Sequence, residues 1–133
     1  SRRIMAAQAF SHATEKNFLF LFYQTVLINQ VCPVIVLSDK GVQFYNNKRN
    51  KKGERSPNLF EQELKRLGVQ TWTSRRNHPQ TNGKMERWFG TMKTRFKKHP
   101  EETLQSFVKW YNEERIHHAL AYKTPEEVYQ ENL

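Results

Sequence analysis

Apolar and polar positions alternate along this chain with two periods, and they divide it into strands and helices. Residues 2–10, RRIMAAQAF, alternate imperfectly and predict a strand; Ser11 to Thr14 then turn the chain. Thr14 suits the N-cap of a helix over residues 15–31, with Phe18, Leu21, Phe22, Thr25, Val26 and Asn29 along one side. Leu19, Phe20 and Tyr23 add a second apolar side, so this helix is expected to be mostly buried against a sheet. Pro33 opens the continuous run PVIVL, the pattern of a parallel strand covered on both faces. The run stops at Ser38-Asp39-Lys40-Gly41. In α/β folds, sites gather at the carboxyl ends of such strands.

Residues 46–56, NNKRNKKGERS, contain glycine and no hydrophobic period, so they predict a basic loop. An amphipathic helix follows at 58–67, with Leu59, Phe60, Leu64 and Leu67 inward and Gly68 capping its end. Val69 to Thr73 alternates as a strand, and Ser74 to Gln80 reads as a loop. The next helix is expected from about Asn82 to Lys98, capped by Thr81 and stopped by His99-Pro100. Residues 102–114 make another amphipathic helix through Leu104, Phe107, Val108 and Tyr111. The tail then wraps back, with Thr124-Pro125-Glu126-Glu127 starting a helical turn. Neither repeats nor a linker interrupt this order, which is that of an α/β fold in a single domain over 1–133.

Charge narrows the class of partner. The chain has a net charge of +9, and it is concentrated. Residues 45–55 carry Lys48, Arg49, Lys51, Lys52 and Arg55 against Glu54; residues 71–99 carry eight Lys or Arg against Glu86 alone. Such clustering favours an anionic partner, nucleic acid first; a solvated surface is the other reading. Cys32 stands alone, which excludes an internal disulfide framework and a multi-cysteine zinc site. Its place beside Pro33 predicts ordinary buried packing, and a reducing, intracellular compartment fits it. The apolar run Phe18–Tyr23 is too short to span a bilayer.

The helix after Gly83 carries the candidate chemistry. Met85, Phe89, Met92 and Phe96 make one apolar stripe, expected to be core. Beside it runs Glu86, Gly90, Lys93, Lys97. Glycine inside a helix costs up to ~1 kcal/mol against alanine, so Gly90 suggests that something bulky comes close, such as a phosphate backbone. Glu86 is expected near the helix N-terminus, where the macrodipole favours a carboxylate. Asp39 is the only aspartate in the chain. Two carboxylates among basic residues suit Mg²⁺ or Mn²⁺, which take oxygen ligands and leave positions for water and substrate. Asp39 and Glu86 are therefore expected to converge on one such cation, although in-line phosphoryl displacement normally calls for a third acid.

SDKGVQFY, HPQTNGKMER and YNEERIHHALAYKTPEE together resemble the catalytic core of DDE-type integrases and transposases, over nearly all of the chain. The third motif, with Asn112, Arg115, His118, Leu120 and Pro125, looks most like prokaryotic insertion-sequence transposases. The resemblance implies an RNase H-like mixed sheet flanked by helices. It also implies metal-dependent cleavage of a DNA end and strand transfer into target DNA. Asp39 matches the second acid and Glu86 the third. Asn77 to Gly83 would be a mobile active-site loop, with Lys84, Arg87 and Lys93 on DNA phosphates. Lys40, Arg75, Arg76, Asn77, His78, Gln80, Asn82 and Lys97 join the expected DNA contacts.

Two departures from that family matter. The interval between Asp39 and Glu86 is lengthened by the basic loop at 46–56, whose Lys48, Arg49, Lys51 and Lys52 are expected to touch DNA; a disordered surface insertion is the other reading. The two strands that open the family's sheet, and the first acid, have no match here. The fold is thus expected to be N-terminally incomplete and inactive by itself, completed by another chain or a longer parent. A DNA-binding or assembly module without catalysis, and a metal-dependent nuclease on the same fold, are the alternatives. A homo-oligomer on paired DNA ends is expected, in a prokaryotic cytoplasm or nucleoid (or the nucleus, for a eukaryotic element). His118 is expected to stitch the C-terminal segment to the core.

Overall fold

The structure, a computed structural model, describes residues 1–74 and 79–133, and of 79–82 the backbone alone. Two compact units divide the chain: Ala9–Lys84, and Ser1–Gln8 together with Met85–Leu133.

In the first unit, α1 spans Glu15–Asn29. The Thr14 hydroxyl accepts the Asn17 N–H at 3.2 Å, supplying one of the partners that a helix start lacks. Strand β1 covers Ile35–Ser38, and β2, Gln70–Thr73, lies parallel to it. A parallel pair needs a crossover, and α2, Leu59–Arg66, lies on it. Both ends of α2 are closed by local chemistry. Asn58 and Glu61 form a reciprocal capping box. At the other end Gly68 is left-handed (φ 74°); its N–H reaches Lys65 O, and Val69 N–H reaches Leu64 O at 2.9 Å. That double closure is the Schellman arrangement, which glycine alone enters without strain.

Leu19, Phe60, Leu64 and Val69 form this unit's core, with Phe18, Phe22, Val36 and Phe44 packed on it. Full burial of such a side chain contributes about 1.5–3 kcal/mol. Several expected burials do not occur. On α1, Phe20, Tyr23, Leu27 and Ile28 are exposed, and the helix packs mainly on α2, sharing a core with Val36 of β1. At 15 residues it is ~22 Å long, whereas two strands make a sheet only ~10 Å across. In β1, Val36 faces the core but Ile35 and Leu37 do not; Trp72, opposite Leu37, is 57% exposed. One face of the strand is covered, not two. Leu59 and Leu67 flank α2 exposed, and Cys32, in the connection before β1, is exposed as well.

The second unit is built from helices. α3 runs Pro79–Lys98 and enters this unit at Met85; α4 is Leu104–Glu113 and α5 is Pro125–Glu131, after a 3-10 turn at His118–Leu120. Thr103 with Ser106 boxes the start of α4; Thr124 with Glu127 boxes α5, where Pro125 takes the first position. Phe107 is 0% exposed. The rings of Trp88, Phe96, Trp110 and Tyr111 surround it at centroid distances of 5.7–5.9 Å.

Residues 2–10 form no strand. Arg2 is left-handed (φ 63°). The Ile4 N–H and C=O, which a strand neighbour would take, bond instead to the Asn112 amide at 2.8 and 2.9 Å. Arg3 meets Glu126 at 2.5 Å and lies 4.6 Å over the Tyr129 ring. The segment is thereby tied to α4 and α5. His118 is exposed, and His117 does the stitching expected of it. His117 is 5% exposed, its N–H reaches Lys123 O, and its ring meets Tyr111. Burial, then the charges of Arg115 and Arg2, push its pKa down to about 4.

Candidate functional site

Asp39 sits just past the carboxyl end of β1, in a turn that its own side chain organises. One carboxylate oxygen, Oδ1, accepts the Gly41 N–H at 2.8 Å, and Ser38 Oγ donates to the Asp39 carbonyl. Gly41 O in turn accepts the N–H groups of Phe44 and Tyr45. Phe44 anchors this turn to the core, its ring 4.3 Å from Phe18 and 5.3 Å from Phe60. A Cβ on Gly41 would fall 2.9 Å from Asp39 Oδ1 and 2.6 Å from Gln43 Nε2. A side chain here would have to displace the end of Gln43 and crowd the Asp39 carboxylate, a point that the sequence pattern did not isolate. Asp39 is exposed, and its Oδ2 has no hydrogen-bond partner among the described residues.

Glu86 lies on α3, exposed, with no hydrogen bond or ion pair among the described residues. Gly90, Lys93 and Lys97 are exposed along the same stripe, and among the described residues no atom beyond the helix's own backbone and Gly90's chain neighbours lies within 4 Å of where a Gly90 Cβ would be. Lys84 and Arg87 are exposed too. Four expectations change here. The helix starts at Pro79, not Asn82, so Thr81 is inside its first turn rather than capping it. Proline at a first helical position has a preset φ and no N–H to satisfy, which explains the earlier start. The backbone of 79–83 is accordingly helical, not an open loop. Glu86 then sits beyond the first turn, where the macrodipole has largely faded. Finally, Met85 and Phe89 are exposed, and only Met92 and Phe96 of that apolar stripe are half-buried. Arg75, Arg76, Asn77 and His78 lie outside the described residues, as do the side chains of Gln80 and Asn82.

The basic loop is more ordered than its composition suggests. Arg55, part of that charge cluster, is paired: its Nη1 lies 2.6 and 2.8 Å from the two oxygens of Glu61, and its guanidinium stacks 3.9 Å from the Tyr45 ring centroid. Arg49 folds back onto Gly53 O at 2.8 Å. Lys48, Lys51 and Lys52 are exposed, with no side-chain partner among the described residues. Lys40 is exposed beside Asp39, its Nζ 5.5 Å from the Tyr45 ring centroid. Arg95, by contrast, is taken by Glu102 at 2.7 Å and by the Trp110 ring.

As ligands, Asp39 and Glu86 offer hard oxygens with free coordination capacity, which fits Mg²⁺ or Mn²⁺ and not a soft metal. Among the described residues, no group of three or more His, Cys, Asp or Glu side chains gathers.

The chain combines helices with a small parallel sheet, and its fold is RNase H-like, similar to that of an integrase catalytic core. A model described as the integrase core domain matches residues 67–125, a segment that contains Glu86. Among solved structures, the chain is similar to the catalytic core domain of BIV integrase in crystal form I, with a TM-score of 0.69 and 24% sequence identity. The alignment covers 96% of this chain and 78% of that one. No curated protein matches. The family model and the shared fold support the DDE integrase- or transposase-like core that the motifs suggested.

Proposed function

We propose that this chain is catalytic-core sequence of a DNA transposase or integrase, a polynucleotidyl transferase whose substrates are the ends of an element and a target duplex. The integrase core domain match over residues 67–125 carries this reading. Asp39 and Glu86 would hold Mg²⁺ or Mn²⁺, which supplies activation of a nucleophile and stabilisation of the leaving oxygen in phosphoryl displacement. Asp39 would contribute its carboxylate, whose Oδ1 also accepts the Gly41 N–H. Lys84, Arg87, Lys93 and Lys97 hold phosphates as point charges whatever the base sequence. The bare Gly90 position between them leaves room for a sugar-phosphate strand. Arg75, Arg76, Asn77, His78, Gln80 and Asn82 belong to the same proposed interface.

Two acids are fewer than this chemistry calls for. The 133 residues by themselves are therefore expected to bind DNA without joining it. Duplex binding should weaken steeply with salt, with a log–log slope of about -0.9 per phosphate contacted. Incubation with an end-like duplex and Mg²⁺ or Mn²⁺ should give no strand transfer. A flat salt response contradicts the DNA reading, and efficient strand transfer contradicts the need for a further acid. Salt-dependent binding unaffected by divalent cations would favour the DNA-binding or assembly module.

A further inference from the structure

We infer that residues 46–56 form a preordered clamp on duplex phosphates, with Glu61 as its positioning residue and Lys48, Lys51 and Lys52 as its contacts. The inference rests on the DNA reading above and says how one part of that interface is built.

Two sets of bonds order the loop. At its neck, Asn46 Nδ2 donates to Ser56 O at 2.8 Å. Glu61, 8% exposed, accepts the N–H of Asn46 at 3.3 Å, the N–H of Asn58 at 2.9 Å and the Arg55 guanidinium. One buried carboxylate on α2 thus holds both ends of the loop. At the tip, Asn50 Oδ1 accepts the N–H groups of Lys52 and Glu54, each at 2.9 Å, while Asn50 Nδ2 donates to Glu54. Asn50 N–H closes on Glu54 O, and Gly53 turns through φ 77°, a conformation that favours glycine. Arg49 and Arg55 face each other across this turn in an antiparallel bridge.

The chemistry left facing outward decides the partner. Residues 46–56 contain no apolar side chain, so the tip lacks the anchors that the core of a protein interface needs. Single strands bind by stacking on aromatic rings, and the one ring at the neck, Tyr45, is covered by Arg55. Three lysines without side-chain partners among the described residues, on an ordered turn, fit the sugar-phosphate backbone of a duplex. Such contacts position DNA without reading its sequence. Ordering the turn in advance removes an entropy cost that a slack lysine loop would meet on binding.

The test is duplex binding by the full chain over a salt series, followed by fluorescence anisotropy with two unrelated duplexes. Replacing Lys48, Lys51 and Lys52 with alanine should flatten the log–log slope by about 0.9 for each phosphate no longer neutralised, equally on both duplexes. Glu61→Gln removes an acid, so charge alone predicts tighter binding; the inference predicts binding several-fold weaker. Because Glu61 is buried, Asn50→Ala provides the same test at the exposed tip: net charge is unchanged, yet affinity should fall several-fold. An unaltered slope in the triple variant, beside a steep wild-type slope, overturns the clamp and leaves the DNA reading standing. Tighter binding by Glu61→Gln, or wild-type affinity in Asn50→Ala, overturns the positioning role. A flat wild-type slope overturns the DNA reading itself.

Discussion

Ala9–Lys84 and Met85–Leu133 carry similar apolar patterns but bury them differently. In the first unit four side chains close a core, while Leu27, Ile28, Val34, Leu37 and Trp72 remain exposed. In the second, Phe107 sits inside a ring of aromatics, the Asn112 side chain holds the Ile4 main chain, and a backbone bridge joins His117 to Lys123. An apolar stripe thus states what a helix is able to bury, not what it does bury. The partners available within each unit decide that.

The largest effects should separate the two cores. Phe107→Ala is expected to cost about 3–5 kcal/mol and Leu64→Ala about 2–5 kcal/mol. Amide exchange reads local stability, so Phe107→Ala should expose α4 amides and Leu64→Ala α2 amides first. Equal loss of protection in both helices from either substitution would erase the contrast. A middle-sized effect comes from His117. Its folded pKa, about 4, lies below the ordinary histidine value. The neutral ring therefore stabilises the fold at neutral pH, and that contribution is lost as pH falls from about 6.5 towards 4, for roughly 1–3 kcal/mol in all. A pH series of thermal melts should show this loss, and His117→Gln should remove most of it. A wild-type curve that is flat through that window would mean the ring is not desolvated. The smallest effect has the opposite sign. Gly90→Ala on the exposed face of α3 should stabilise the helix by up to ~1 kcal/mol while weakening duplex binding, because nothing described within the chain needs that space. Stabilisation with unchanged DNA affinity would mean the glycine serves no close approach.

What sequence revealed tracks how local its cause is. The starts of α1 and α5 were legible because capping residues act within one turn, and Gly68 marked the end of α2 for the same reason, whereas α4, expected from 102, begins at Leu104 after its cap Thr103. Both strands were legible from their local pattern, PVIVL as an apolar run and Val69–Thr73 by alternation; that they pair parallel is what the structure adds. The start of α3 was misplaced because Thr81 resembles a cap, although Pro79 lies earlier. The expected strand at 2–10 failed for a non-local reason: its hydrogen bonds go to Asn112, more than a hundred positions away. At the candidate site, Asp39 at a strand tip was readable from the abrupt end of PVIVL, and Glu86 from its isolation among basic residues. Glu61 was overlooked. Its place three residues after Asn58 is a capping-box signature, but its hold on Asn46 and Arg55 depends on how the loop folds back.

The proposed chemistry depends on Asp39 and Glu86 serving one cation. Titrating Mn²⁺ into the duplex-bound wild type, Asp39→Asn, Glu86→Gln and the double variant tests this directly. Shared ligation predicts that either single substitution weakens Mn²⁺ binding and that the second adds little, a coupling of roughly 1–3 kcal/mol. Undiminished Mn²⁺ binding in both single variants, or losses that simply add, would contradict it.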